Sequence, residues 1–70
     1  MANNIAKIRA EREITQVALA HEAGISQPYL HDLENGRRGA KPETWERLAA
    51  ALGVTVDTLK GGGTDGQETA

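Results

Sequence analysis

Residues 26–39 read SQPYLHDLENGRRG. Within this stretch Gln27 brings an amide, Tyr29 a phenol, His31 an imidazole and Asp32 a carboxylate. Arg37 and Arg38 follow directly on an Asn35-Gly36 step. Such groups give and take hydrogen bonds and pair with anions. They do not form an arrangement that makes or breaks covalent bonds. The histidines, His21 and His31, have neither a second histidine four residues on nor a carboxylate pair in ligand spacing, so no metal centre is expected. No glycine-rich phosphate loop follows a strand pattern. Cysteine is absent, which removes disulfides and thiolate ligands. The expectation is a protein that binds, without enzymatic activity and without a cofactor.

The elements that must position these groups read as helices. Asn3 or Asn4 is placed to cap a first helix over roughly residues 4–12, with Ile5 and Ile8 on one face. Thr15 caps a second, Gln16 to Ala23, which Gly24 stops. Ser26 caps a third, Gln27 to Asn35, with Pro28 in the first turn, where a missing N–H costs nothing, and Gly36 at its end. Pro42 opens a fourth that carries Trp45, Leu48, Ala49 and Leu52 on one stripe and stops at Gly53. Thr55 caps a short fifth, Val56 to Leu59. The fold class expected is all-α, a compact bundle of five helices over residues 1–60. From Gly61 the sequence GGGTDGQETA contains no large apolar residue, and a disordered C-terminal tail over 61–70 is expected.

Size and charge limit the partners. A chain of 70 residues is one domain, and one this small buries only about 60% of its unfolded surface. With no Phe, one Trp and one Tyr, the core must come from Leu, Ile, Val and Ala. Help from a partner subunit is consistent with that. The longest apolar run is far below membrane-spanning length, and the N-terminus lacks the apolar stretch of a secretory signal, so a soluble cytoplasmic protein without membrane contact is expected. The net charge of −2 does not announce a polyanion partner. Its distribution says more: Lys7, Arg9 and Arg12 on one side and Arg37, Arg38 and Lys41 on the other flank residues 13–36, which hold no Lys or Arg.

One spacing has a specific cause. Counting Gln16 as the first position, Ala20 is fifth, Gly24 ninth, Leu30 fifteenth and Leu33 eighteenth. Two helices crossing at roughly 90–120° over a short turn must approach closely, which a bulky fifth residue would prevent. The ninth needs positive φ, which glycine reaches without steric cost. The fifteenth and eighteenth pin the second helix of the pair to the core. Together these make a helix-turn-helix unit. At about 100° per residue, Gln27, Pro28, His31 and Asp32 share one arc of the third helix, while Tyr29, Leu30 and Leu33 take the other.

A recognition helix presents such a polar, N-terminal arc to base edges of double-stranded DNA. The Gln27 amide suits adenine N6 and N7, Pro28 offers apolar surface to a thymine methyl, and His31 can donate to guanine or a phosphate. Asp32 can accept from cytosine N4 but is repelled by nearby phosphates, so it also rejects wrong sequences. The Tyr29 hydroxyl is a candidate phosphate contact. Gln16 stands at a helix N-terminus, which favours an anion. Asn35, Arg37 and Arg38 cluster past the end of the third helix and suit a second phosphate run.

The stretch ITQVALAHEAGISQPYLHDLENGRRGAKPETWERLAAALGV resembles the Cro/C1-type (XRE) helix-turn-helix family of phage and bacterial repressors. The likeness covers about residues 4–60 and is carried by TQVALA, AGISQPYLHDLENG and LAAALGV. It implies a five-helix bundle whose second and third helices read DNA. It implies a base contact at Gln27, a phosphate clamp at Gln16 and phosphate contacts at Asn35, Arg37 and Arg38. It also implies a structural ion pair between Arg9 and Glu34. Three departures stand out: Glu13 holds a turn position where glycine or asparagine is common, which implies a strained helix end; Asp32 is acidic where polar or basic residues are common; and proline comes at Pro42 instead of Ala40.

The function expected is a bacterial or phage-encoded transcriptional regulator, a repressor that binds an inverted-repeat operator as a homodimer. Val54, Val56 and Leu59 are the expected dimer surface, with closure of the bundle as the competing role for the same residues. The alternative function is an antitoxin or interaction module that uses the fold to hold a protein partner.

Overall fold

The computed structural model describes residues 3–61. The remainder of the expected disordered tail, 62–70, lies outside the described residues. Hydroxyl caps decide where three helices begin. Thr15, Ser26 and Thr55 hold extended backbone, and their side chains accept the N–H groups of Ala18, Tyr29 and Thr58. Such a cap contributes about 0.5–2 kcal/mol. The helices are α1 (Ile5–Glu11), α2 (Gln16–Ala23), α3 (Gln27–Glu34), α4 (Pro42–Leu52) and α5 (Val56–Lys60). No strand occurs among the described residues.

The start of α1 differs from the simple cap expected of an asparagine. Asn4 occupies the cap position, but its side chain makes no cap bond. Its Nδ2 donates to the Thr58 carbonyl at 3.0 Å, and its backbone N–H to that of Leu59 at 2.9 Å. Asn3 accepts from the Ile5 N–H at 3.1 Å and donates through Nδ2 to the Leu33 carbonyl at 2.9 Å. The two asparagines therefore tie the chain's start to the ends of α5 and α3. At the other end of α1, Glu13 has φ 57°, in the left-handed region that β-carbon sterics disfavour.

The core is built from Ile5, Ile8, Leu19, Ala20, Ala23, Leu30, Leu33, Trp45, Leu48, Ala49, Leu52 and Leu59. Helix α2 packs against α3 and α4, and α5 against α4 and α1. Ala20 and Ala23, at 3% and 1% exposure, keep α2 close to its neighbours. Gly24 makes the turn into α3 with φ 73° and sends its N–H back to Ala20 and His21. The turn is short enough that Ile25 also bonds the Ala20 carbonyl at 3.0 Å.

Leu59 corrects part of the expected dimer surface. It is 0% exposed and belongs to the core of this chain, so it closes the bundle and has no side-chain surface for a partner. Val54 and Val56 are only partly buried and lie against that core. No helix among the described residues is long and apolar enough to cross a membrane.

Candidate nucleic-acid interface

Local rules put the front of α3 on the surface. Ser26 caps it, Pro28 fits its first turn, and Leu30 and Leu33 anchor the opposite side at 0% and 1% exposure. Gln27, Pro28 and His31 are left exposed and Asp32 half-buried. The four residues expected on one arc are therefore on the solvent side.

Two polar networks organise this surface. The first begins in the half-buried space between α1 and α3. Arg9 grips Glu34 with two donors, Nε to Oε2 at 2.8 Å and Nη2 to Oε1 at 3.2 Å. The side chains are 20% and 6% exposed. Arg9 also donates through Nη1 to the Ile14 carbonyl at 3.1 Å, which braces the turn containing Glu13. Gln16 Nε2 donates to Glu34 Oε1 at 2.9 Å, and Gln27 Nε2 in turn donates to Gln16 Oε1. His31 Nδ1 stands 3.5 Å from Gln16 Nε2.

This chain of contacts has a direction. A carboxylate only accepts, so Gln16 must turn its NH2 towards Glu34. Its oxygen then faces Gln27, and Gln27 must donate. What Gln27 has left for solvent is an unpaired Oε1 and its second N–H. That is the acceptor-and-donor pair complementary to adenine N6 and N7. The ion pair between α1 and α3 thus sets which way round the surface amide points.

The second network lies at the far end of α3. Asp32 Oδ1 is 3.6 Å from Arg37 Nη1, and Asp32 Oδ2 is 3.5 Å from Arg38 Nε. The guanidinium carbon of Arg38 lies 5.7 Å from the Tyr29 ring centroid. Tyr29 donates its hydroxyl proton to the Gly39 carbonyl at 3.0 Å. A phenol has one proton, and in the free protein the Gly39 carbonyl takes it, so the ring and hydroxyl hold the arginine loop in place. Asn35 Nδ2 donates to the His31 carbonyl at 2.8 Å, which leaves its second N–H and its oxygen available.

At the start of α2, Thr15 takes the N–H groups of Ala18 and Leu19, so those of Gln16 and Val17 open the helix towards solvent. Val17 is not among the residues that the helix-turn-helix spacing singles out. It is 65% exposed, beside Gln16, and is a large apolar residue on this surface. The signal was present: the core period of α2 runs through Leu19, Ala20 and Ala23, which turns Val17 outward. Among the described residues no group of His, Cys, Asp and Glu is placed to hold a metal.

Known proteins resemble this chain in sequence and in fold. The helix-turn-helix family model matches residues 5–59. The chain is 41% identical over 61 residues to the immunity repressor protein of Bacillus phage phi105, covering 87% of this chain and 42% of the phage protein. It is 39% identical over 71 residues to the HTH-type transcriptional regulator DdrOP3 of Deinococcus deserti, covering 100% of this chain and 55% of that protein. The chain thus spans about half the length of these two relatives. Among solved structures, the hypothetical transcription factor NHTF from Neisseria matches with a TM-score of 0.75 at 30% identity, over 81% of this chain and 66% of that one. The chain therefore belongs to the helix-turn-helix family of the Cro/C1 type, a family of DNA-binding regulators and not of enzymes.

Proposed function

We propose that this chain is a sequence-specific double-stranded DNA-binding repressor that acts in a bacterial cytoplasm. The front of α3 enters the major groove. Gln27 pairs with an adenine, Pro28 meets a thymine methyl, His31 donates to a guanine or a phosphate, and Asp32 accepts from a base amino group. Gln16 and the open N–H groups of α2 take one phosphate run. Asn35, Arg37 and Arg38 take another. Repression as the outcome follows the likeness to the phage immunity repressor.

The observation that carries this reading is the oriented amide of Gln27. A surface glutamine loses rotamer freedom when it is held, at up to roughly 2 kcal/mol. Here the holding chain runs through Gln16 and Glu34 to Arg9. It leaves outward the two groups that read a base edge.

A single domain of this size makes about half the contacts that tight specific binding needs. We therefore place it on DNA as a symmetric homodimer, with half-sites about 10–10.5 base pairs apart on an inverted repeat. Val54 and Val56 form the self-association surface. Selection of sites from random duplexes, with mass measured in solution on the same samples, tests this. The expected result is an enriched inverted repeat with one adenine fixed in each half and two chains per duplex. No enrichment over input would overturn sequence-specific binding, and enrichment of a lone half-site by one chain would overturn the dimer.

A further inference from the structure

We propose that Asp32 is a specificity-determining residue that works by exchanging partners. In the free protein it is an internal counter-ion for Arg37 and Arg38. On DNA the two arginines leave it for phosphates, and its carboxylate then requires an amino group on a base. This rests on the reading that α3 enters the major groove.

The geometry is that of a shared, releasable anion. Each carboxylate oxygen faces a different guanidinium, Oδ1 with Arg37 and Oδ2 with Arg38. At 3.6 and 3.5 Å both contacts are longer than the roughly 2.7–2.9 Å of a tight charge-assisted hydrogen bond. The arginine side chains are 65% and 63% exposed, so water already competes for them. The loop is nevertheless fixed around the carboxylate. The Arg37 N–H donates to the Asp32 carbonyl at 2.9 Å, and Tyr29 holds both the Gly39 carbonyl and the Arg38 head. The cations that the sequence concentrates after Gly36 are thereby gathered on the flank of the helix that faces DNA.

A phosphate offers each arginine an anion of the same kind, so the arginines lose little by changing partner. Asp32 loses both of its cations in the same event and stands close to a polyanion. The carboxylate is then stable only where a donor meets it. In the major groove the donors are cytosine N4 and adenine N6, whereas guanine N7 and O6 and thymine O4 are acceptors and repel it. On random sequence the exchange therefore weakens binding, and on a site with an amino group at this place the loss is offset. The residue discriminates by lowering affinity for most DNA.

The test measures binding of wild type, Asp32→Ala and Asp32→Asn to a random-sequence duplex and to the selected site, by fluorescence anisotropy over a range of salt. Both variants are expected to bind the random duplex about two- to tenfold more tightly than wild type at low salt. The slope of log affinity against log salt steepens by about one. The ratio of specific to random affinity falls, and selection repeated with Asp32→Ala loses its preference at one base pair per half-site. In the background of Arg37→Ala with Arg38→Ala, Asp32→Ala is expected to give a smaller gain. Random-duplex affinity unchanged or weakened in Asp32→Asn, which keeps the side chain's shape, would overturn the proposal, as would an unaltered specificity ratio. Failure of the underlying DNA reading shows separately: wild type itself would then bind no duplex even at low salt.

Discussion

Glu34→Gln puts the oriented amide at risk with a change of one charge and almost no volume. Glu34 takes Arg9 with both oxygens and Gln16 with one of them. A glutamine cannot satisfy all three donors. With its oxygen at the Oε1 place it meets Arg9 Nη2 and Gln16 correctly but sets an NH2 against Arg9 Nε. With its oxygen at the Oε2 place it serves Arg9 Nε but sets an NH2 against Arg9 Nη2 and Gln16. In this second case Gln16 turns over, Gln27 follows, and two N–H donors face outward, which suits the two acceptors of guanine. The loss of one hydrogen bond to a charged group in this half-buried setting costs about 1.5–3 kcal/mol. A domain of roughly sixty residues has about 3–9 kcal/mol in hand at 0.05–0.15 kcal/mol per residue, so the loss takes a large share of that margin and binding by the variant is measured at low temperature, where folding is most stable. Its melting temperature falls by roughly 6–24 °C.

If the two arrangements are equally populated, adenine affinity drops about twofold while guanine gains, which narrows a discrimination worth about 1–3 kcal/mol. Competition binding on four duplexes that differ only at the Gln27 base pair reads this directly. Arg9→Lys is the control. It weakens the same ion pair but keeps an acceptor-only group opposite Gln16, so stability falls and base preference holds. An unchanged base profile in Glu34→Gln, or equal blurring in Arg9→Lys, would refute the reasoning.

Gln27→Ala is expected to cost about 1–3 kcal/mol on the selected site and to relax one position only, by gel shift on specific and scrambled duplexes; equal loss on every sequence would remove its base-reading role. Arg37→Ala should weaken all sequences alike and flatten the salt dependence by about one, measured in the same titrations. Gly24→Ala should lower stability by about 1–2 kcal/mol in thermal unfolding, because a side chain must adopt φ 73° there. An added β-carbon meets nothing closer than Arg47 Nη1 at 3.8 Å, so the effect is one of backbone strain, and base preference is expected to survive.

Local chemistry made most of the fold legible. Thr15, Ser26 and Thr55 announce helix starts because a hydroxyl before an apolar period has few other uses, and all three cap as expected. Gly24 and Gly53 announce stops because their backbone is left-handed. Asn4 was less legible. Its amide reaches Thr58, fifty-four residues away, and no local pattern encodes such a contact. The same reason left both roles of Leu59 open, because its burial depends on α1 and α4 packing against a helix of five residues.

The site shows a sharper version of that limit. The shared arc of the third helix, the charge cluster past its end and the likeness to the family nominated Gln27, His31, Asp32 and the arginines. Their relations were not legible, because a hydrogen bond's direction is a property of a network. Only with Glu34 placed against both Arg9 and Gln16 does the Gln27 amide acquire a sense. Only with the loop folded back does Asp32 face two cations. These relations matter more in this chain than in a basic one. A net charge of −2 supplies little general attraction to a polyanion, so affinity has to come from helix N-termini and a few arginines held at fixed places. Weak general attraction also lowers the background against which a base contact is read. The exchange proposed for Asp32 gives an acidic residue on that helix a use: it would lower binding everywhere and be least harmful where a base meets it with a donor, so the ratio between sites would grow while absolute affinity fell.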